Sequence, residues 1–169
     1  MANPPSSHYP HIGTLGEDLV AQWLQSNSWI VLHRRFSCRW GEIDIIAQFP
    51  NQGDNCQNSY QHSMLAFIEV KTRSSGNWDA GGRSAITRQK QAKLWRTAQM
   101  FLSEYPERAD YPCRFDVAIV HCQRISKKLR SGVMDSSEVL ADSSHGLHHL
   151  TLQEYIPGAF DVNDADYNS

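Results

Sequence analysis

Two stretches of the sequence carry charged side chains inside otherwise apolar segments. Asp44 lies within Gly41–Ala47, and Glu69 and Lys71 lie two positions apart within Leu65–Lys71. Side chains two residues apart on a strand share a face, so Glu69 and Lys71 are predicted to point the same way. If the two segments pair as strands, Asp44 approaches Glu69. Two carboxylates at one place are costly unless a cation lies between them, so the pattern indicates a divalent-cation site.

A site of this composition can support hydrolysis of a phosphodiester bond. Mg²⁺, or Mn²⁺ in its place, prefers oxygen ligands and commonly binds one or two carboxylates, several waters and a substrate phosphate. Lys71 beside the carboxylates can orient or deprotonate the attacking water and steady charge on the phosphate. A plainer interpretation is that Glu69 and Lys71 form a salt pair and Asp44 caps an edge. We favour the site, because burying charge in an apolar strand is expensive.

The charge of the chain is unevenly distributed along the sequence. The chain holds 16 Lys and Arg against 18 Asp and Glu, a net charge of −2, yet residues 135–169 contain seven acidic side chains and no Lys or Arg. Between Lys71 and Arg96, seven basic side chains accompany a single acidic one, Asp79. A local basic surface binds polyanions even when the whole chain is slightly acidic. Nucleic acid is therefore a candidate partner, and a solvated helix face is the plainer alternative.

Hydrophobic periodicity predicts the elements that must position these residues, in the order helix, three strands, helix, and one or two strands. Helices are predicted over residues 14–26 and 84–104, and strands over 29–36, 42–47, 65–71, 115–120 and 150–152. Thr14 and Glu17 fit a capping box at the start of the first helix. We predict an α/β fold with a mixed central sheet flanked by helices, a hairpin joining strands two and three, and a central third strand.

The length of 169 residues suits one domain. We predict a disordered tail over 1–11, a single domain over 12–160, a polar insertion over 124–146 and an acidic disordered tail over 161–169. No run of about 18 apolar residues and no secretory signal is present. We therefore expect a cytoplasmic location rather than a membrane location. In that compartment we expect reduced thiols at the four cysteines, Cys38, Cys56, Cys113 and Cys122.

Five motifs follow one another along residues 12–158. In chain order they are Gly16-Glu17-Asp18, Gly41-Glu42-Ile43-Asp44-Ile45-Ile46-Ala47, Phe67-Ile68-Glu69-Val70-Lys71-Thr72-Arg73, Lys90 with its helix, and Arg114-Phe115-Asp116-Val117. In this combination the chain resembles the YraN-like family of bacterial endonuclease-like proteins. The resemblance implies a restriction-endonuclease-like fold with a PD-(D/E)xK type site, close to that of the archaeal Holliday-junction resolvases.

The resemblance also implies roles for individual residues. Asp44 takes the place of the first carboxylate, and Glu69 and Lys71 take the place of the Glu-x-Lys pair. Asp44 and Glu69 would bind the metal, and Lys71 would position the water. Glu17 matches the helix glutamate that completes the metal shell in resolvase-like members, whereas its position alone equally fits the capping box. The sequence departs from the named pattern at Ile43, which replaces the proline before Asp44.

Basic residues that follow the third strand are the predicted nucleic-acid contacts. They are Arg73, Arg83, Arg88, Lys90 and Lys93. Contacts of such side chains with phosphates give affinity without sequence specificity. Related nucleases place a Gln or Lys near the active site where Lys90 stands, so we expect Lys90 to contact a phosphate; a solvated surface lysine is the plainer alternative.

Two further groups are interpreted as structural. Asp116 is expected to form a salt bridge with Arg114, or with an arginine of a neighbouring strand, rather than to take part in catalysis. The histidines His145, His148 and His149 cluster in the sequence but lack the paired spacing of a structural zinc site.

The leading interpretation is a Mg²⁺- or Mn²⁺-dependent nuclease that hydrolyses DNA phosphodiester bonds, as a structure-selective endonuclease. The alternative is a nucleic-acid-binding module of nuclease-like fold that holds branched or single-stranded DNA with little or no cleavage. A third interpretation is an interaction protein whose acidic tail covers the basic face. A homodimer is possible under the first interpretation, because cutting two strands needs two sites.

Overall fold

The computed structural model describes residues 11–50, 63–74, 86–125 and 139–161. Within these ranges the chain forms two α-helices, one short 3-10 helix at Pro106–Arg108 and six strands. In chain order the helices and strands are α1 (Ile12–Ser26), β1 (Ile30–Cys38), β2 (Gly41–Phe49), β3 (Met64–Ser74), α2 (Arg88–Glu104), β4 (Cys113–Arg124), β5 (Ala141–His145) and β6 (His148–Phe160). The predicted order of helix, three strands, helix and further strands is confirmed.

The six strands form one mixed sheet in the order β1-β2-β3-β4-β6-β5. β3 and β4 are parallel, and every other neighbouring pair is antiparallel. Parallel neighbours need a crossover connection, and α2 lies on the path between β3 and β4. The antiparallel pairing of β2 with β3, the crossover to β4 and the interior position of β3 are all as predicted.

Each helix covers one face of the sheet. Along β3, Ala66 and Ile68 pack in the apolar cluster that contains α1, whereas Leu65 and Phe67 pack in the cluster that contains α2. This alternation is the period of two expected of a strand that is buried on both faces. The result is a sheet between two helical layers, which confirms the α/β class and is compatible with a restriction-endonuclease-like fold.

The starts of both helices differ from the prediction. α1 begins at Ile12 after the cap residue His11, and no side chain caps it, so the predicted capping box of Thr14 is wrong. Ile12 packs against the core, which favours two further residues in the helix. α2 begins at Arg88 rather than at residue 84, because the hydroxyl of Thr87 accepts a hydrogen bond from the backbone N–H of Lys90 at 3.2 Å and caps the helix there.

The strands at the far edge of the sheet were predicted too short. Residues 141–145 were assigned to a polar insertion, yet they form β5, which pairs with β6 across a turn at Gly146. β6 covers 13 residues rather than the three predicted, and it pairs with β4 from Phe115 to Arg124. β5 is an edge strand of mostly polar residues, so no apolar pattern marks it in the sequence. It forms a strand because it pairs with β6. Of the tails predicted over 1–11 and 161–169, residues 1–10 and 162–169 lie outside the described residues.

α1 packs against β3 at Gly16. A methyl group at this position would overlap the hydroxyl of Thr72 and lie 3.2 Å from Thr72 Cβ. Rotation of Thr72 can move its hydroxyl, but the tight 3.2 Å contact with its Cβ, which is fixed to the strand, would remain. Glycine at position 16 therefore favours close contact between α1 and the strand that carries Glu69 and Lys71.

Replacing Gly16 by alanine is expected to lower the free energy of unfolding by about 1–3 kcal/mol, because the added methyl forces α1 away from β3. The matched control is Gly13→Ala in the same helix, where the new methyl would meet only His11 Nδ1 at an ordinary 3.5 Å. That control should be neutral or stabilising, since alanine favours helix over glycine. Urea denaturation measures both variants, and equal stabilities would contradict the proposed role of Gly16.

Candidate active site

The candidate site lies where the pairing of β2 with β3 ends. The ladder between these strands stops at the pair Ile45 and Ile68. At the next position, Asp44 Oδ2 accepts a hydrogen bond of 2.7 Å from the backbone N–H of Val70. A side-chain carboxylate thus satisfies a backbone donor of β3 and holds Asp44 next to Glu69. The predicted approach of Asp44 to the Glu-x-Lys strand is present in the structure.

The face that each β2 residue occupies differs in part from the prediction. Regular alternation along a strand predicts that Ile43 and Ile45 share one face, opposite Asp44 and Ile46. Ile45 packs in the cluster with α1, but Ile43 and Ile46 both pack in the cluster with α2. The regular alternation breaks at Asp44, because β2 there loses its ladder to β3 and its carboxylate takes over the hydrogen bond.

Glu69 is the most enclosed carboxylate of the site, at 4% exposure. Its Oε1 atom accepts a hydrogen bond of 2.8 Å from Lys71 Nζ, which confirms that the two side chains share a face. Its Oε2 atom lies 3.2 Å from Lys90 Nζ on α2, but it receives no hydrogen bond within the described parts of the chain. The salt pair of the plainer interpretation is therefore present. Asp44, in contrast, lies on an interior strand and does not cap an edge.

The electrostatics of the site are dominated by its carboxylates. Burial raises the pKa of Asp44 to about 6, and the charges of Glu69 and Glu17 add to this effect. The Val70 N–H and the ammonium of Lys90 act in the opposite direction and lower it. Asp44 therefore lies within the negative field of two other carboxylates.

Glu17 reaches the site from α1. Its Oε2 atom is buried without a hydrogen-bond partner among the described residues and lies 3.7 Å from the guanidinium of Arg34, which also contacts Asp18 at 2.6 Å. Burial raises the pKa of Glu17, and the charges of Arg35 and Arg34 oppose that rise. Since α1 has no side-chain cap, the capping-box interpretation of Glu17 does not hold. Its place in a metal shell stays a prediction.

The donor set fits a cation that needs few protein ligands. The described ranges contain no group of three or more His, Cys, Asp or Glu side chains that could hold a metal ion by themselves. Mg²⁺ commonly takes only one or two carboxylates and completes its shell with waters and substrate oxygens. The raised pKa of Asp44 and the Glu69 Oε2 atom without a hydrogen bond mark a place where positive charge is favourable. Asp44 and Glu69 therefore fit such a cation.

The predicted nucleic-acid contacts lie in different surroundings. Lys90 is part of the site itself, through its contact with Glu69. Arg88 and Lys93 are exposed on α2, and Arg73 is partly buried on β3 two residues beyond Lys71. Arg83 lies outside the described residues. The sequence did not identify Arg34, because its partners on α1 come near only when helix and strand pack together.

Asp116 has the structural role that the sequence predicted. The carboxylate is fully buried and lies 3.0 Å from Arg114 Nε. It also accepts hydrogen bonds from the hydroxyl of Tyr155 at 2.6 Å and from the N–H of Gly158 at 2.9 Å. Burial and the adjacent Asp116 raise the pKa of Tyr155, so this hydroxyl stays a donor. The group joins β4 to β6 and is separate from the carboxylates around Asp44.

Comparison with known proteins gives the family. A family model described as "Uncharacterised protein family UPF0102" matches residues 16–120. A UPF0102 protein of Trichormus variabilis is 57% identical over 151 residues, which cover 89% of this chain and 95% of the relative. A UPF0102 protein of Trichodesmium erythraeum is 46% identical over 160 residues, which cover 89% of each chain. The chain belongs to the UPF0102 family. This is the YraN-like family that its motifs resemble.

The UPF0102 match covers the whole candidate site. Glu17, Asp44, Glu69, Lys71 and Lys90 all lie within residues 16–120, whereas β5 and β6 lie beyond them. The family description and the names of these relatives state no activity, so family membership does not by itself establish a nuclease. Neither of the two described helices has the length and apolar character that crossing a membrane requires.

The raised pKa of Asp44 predicts a pH-dependent stability. Its pKa is about 6 in the folded protein against an ordinary 3.8, so the folded state binds the proton more tightly. The stabilisation is fully present below pH of about 4 and is lost as the pH rises through about 6, by on the order of 3 kcal/mol. Asp44→Asn, whose amide oxygen can still accept from Val70, should flatten this dependence and raise stability at neutral pH.

Urea denaturation between pH of about 4 and 7.5 measures this effect for wild type and for Asp44→Asn. Asp142→Asn, on the exposed part of the edge strand β5, serves as the control and should keep the wild-type slope. An unchanged slope in Asp44→Asn would show that another group causes the dependence.

Proposed function

We propose that this UPF0102 protein is a metal-dependent nuclease that hydrolyses DNA phosphodiester bonds, as a structure-selective endonuclease. The observation that supports this most directly is the position of Asp44 beside Glu69 and Lys71 where the β2–β3 ladder ends. Asp44 and Glu69 would hold Mg²⁺ or Mn²⁺, and Glu17 would complete the shell. The bound ion would polarise the phosphate and lower the pKa of a coordinated water.

The protein's own groups supply the remaining chemistry. Lys71 is held by Glu69 at 2.8 Å, so its ammonium stays in the site and can orient the attacking water and steady charge on the phosphate. Asp44 binds a cation only when ionised, and with a pKa of about 6 it is still mostly ionised at neutral pH. Val70 fixes the orientation of that carboxylate through its backbone N–H, which no substitution of a side chain removes.

A second function, nucleic-acid binding without cleavage, is favoured by one observation. Two ammonium groups, Lys71 Nζ and Lys90 Nζ, already lie within 3.2 Å of Glu69 in the protein alone. The charge of Glu69 is thus compensated without a metal ion, and an intact carboxylate pair does not by itself require one. Measurement of cleavage separates the two functions.

Cleavage is tested on labelled duplex, single-stranded, flap and four-way-junction DNA with Mg²⁺, Mn²⁺ or EDTA. We expect cutting in the presence of metal, none with EDTA, and a loss of roughly a hundredfold or more in Lys71→Ala and Glu69→Gln. The control is Glu104→Gln, at the exposed end of α2. Cleavage unchanged in both site variants would exclude the proposed nuclease, and salt-sensitive binding without cleavage by wild type would favour the binding module.

Lys90 and a metal ion compete for the same oxygen of Glu69. Lys90→Gln is therefore expected to raise the affinity for Mn²⁺ several-fold, because it removes a cation 3.2 Å from Glu69 Oε2. Calorimetric titration of Mn²⁺ into the protein measures this affinity. Lys93→Gln removes an equal charge from the exposed surface one turn further along α2 and should change it little. Equal affinities in the two variants would show that Lys90 does not occupy the metal position.

A further inference from the structure

Two arginines stack on one tryptophan at the turn between β1 and β2. The guanidinium carbons of Arg39 and Arg96 lie 4.8 and 4.7 Å from the centre of the Trp40 ring. Arg39 and Trp40 belong to the turn, and Arg96 belongs to α2. We refer to these three residues as the arginine cluster. The proposed chemistry at Glu69 makes no use of them.

The turn that carries the cluster is fixed to α2. The sulfur of Cys38 accepts a hydrogen bond from the Trp40 N–H at 3.4 Å and contacts Thr97 Oγ1 at 3.6 Å. Thr97 is fully buried and donates its hydroxyl to the carbonyl of Lys93 at 2.8 Å. A methyl group on Gly41 would lie 3.6 Å from both Lys93 Cβ and Thr97 Oγ1, so strand and helix are in near contact. The arginine cluster therefore has a defined geometry.

Within the described ranges, no carboxylate compensates the charges of the cluster. Arg39 and Arg96 are both exposed, and neither forms an ion pair with a carboxylate of the described ranges. Other arginines differ in this respect, since Arg34 and Arg114 each contact a carboxylate. A guanidinium that lies on an aromatic ring keeps its N–H donors at its edge, where they match the oxygens of a phosphate. Two fixed and uncompensated guanidinium groups therefore suit a polyanion.

The cluster continues a line of basic residues that begins at the candidate site. Lys90, Lys93 and Arg96 follow one another at intervals of three residues along α2, and the first of them contacts Glu69. Residues three apart are neighbours on a helix surface. The separation of six positions between Lys90 and Arg96 corresponds to a rise of about 9 Å along the helix. One strand of a duplex advances roughly 3.4 Å per nucleotide, so this line covers about two to three nucleotides.

We propose that the arginine cluster is a phosphate-binding subsite for the backbone of the nucleic acid, two to three nucleotides from the bond that is cleaved. Its distance from the scissile bond rests on the proposed function, whereas its affinity for the backbone does not. Both guanidinium groups lie over the Trp40 ring, so the ring stacks with arginine side chains rather than with a base. The subsite contributes affinity without sequence specificity.

Binding without cleavage tests the subsite. Fluorescence anisotropy of labelled single-stranded and duplex DNA, and of RNA of the same sequence, is recorded in EDTA at several salt concentrations. The double variant Arg39→Gln/Arg96→Gln is expected to bind about tenfold more weakly or worse, and the slope of log K against log salt should fall by about 1–2. Equal losses on DNA and RNA indicate backbone recognition common to both, and a loss on only one identifies the nucleic acid that the subsite takes.

The matched control is Arg108→Gln. Arg108 also lies over an aromatic ring, that of Tyr105 at 5.6 Å, but it pairs with Glu107 and lies beyond the far end of α2. Its replacement should change neither affinity nor salt slope. Thermal unfolding of each variant checks that it is folded. The proposal would be overturned if the double variant kept the wild-type affinity and salt slope, or if its losses equalled those of the control. It would also be overturned if the wild-type protein bound no nucleic acid.

The binding and cleavage experiments test the two proposals independently of each other. Loss of binding in the double variant together with no cleavage by wild type would support the subsite and exclude the proposed nuclease. Cleavage that depends on Lys71 but not on Arg39 and Arg96, with binding unchanged in the double variant, would support the nuclease and exclude the subsite.

Discussion

The site depends on the hydrogen bond between Asp44 and the backbone N–H of Val70. The ladder between β2 and β3 ends at the preceding pair, so this N–H would otherwise lack a ladder partner. Because a buried donor without a partner is costly, the carboxylate is both a charged group of the site and a structural element of the sheet. This bond holds Asp44 against the strand that carries Glu69 and Lys71, just beyond the last pair of the ladder.

The two helices bring further charged side chains to the site. α2 brings Lys90 to Glu69, and α1 brings Glu17 close enough to raise the pKa of Asp44. The close approach of α1 is favoured by the absence of a side chain at Gly16. Three carboxylates are thus assembled from three separate elements, with lysines and arginines around them. A balance of this kind can be shifted by a cation or a phosphate, because Glu69 Oε2 and Glu17 Oε2 receive no hydrogen bond within the described residues.

Helix α2 carries one positive charge in the site and another at the surface. At its first turn, Lys90 faces a carboxylate in the interior of the site, and two turns later Arg96 lies on the ring of Trp40 at the surface. The first charge is compensated by Glu69, whereas the second forms no ion pair with a carboxylate of the ranges that the structure describes. A polyanion that contacts the exposed part of α2 would therefore run toward the site along one rigid element, because the β1–β2 turn is fixed to the helix through Cys38 and Thr97.

The sequence by itself determined the α/β class, the order of the first five elements and the Asp44, Glu69 and Lys71 set. These features follow from local periodicity and from the high cost of charge in apolar strands. It did not determine β5, a polar edge strand that exists through its pairing. Nor did it determine the face of Ile43, the contact of Arg34 with Glu17 or the arginine cluster. Only the tertiary structure decided these, because each depends on residues far apart in the chain that meet when helices and strands pack.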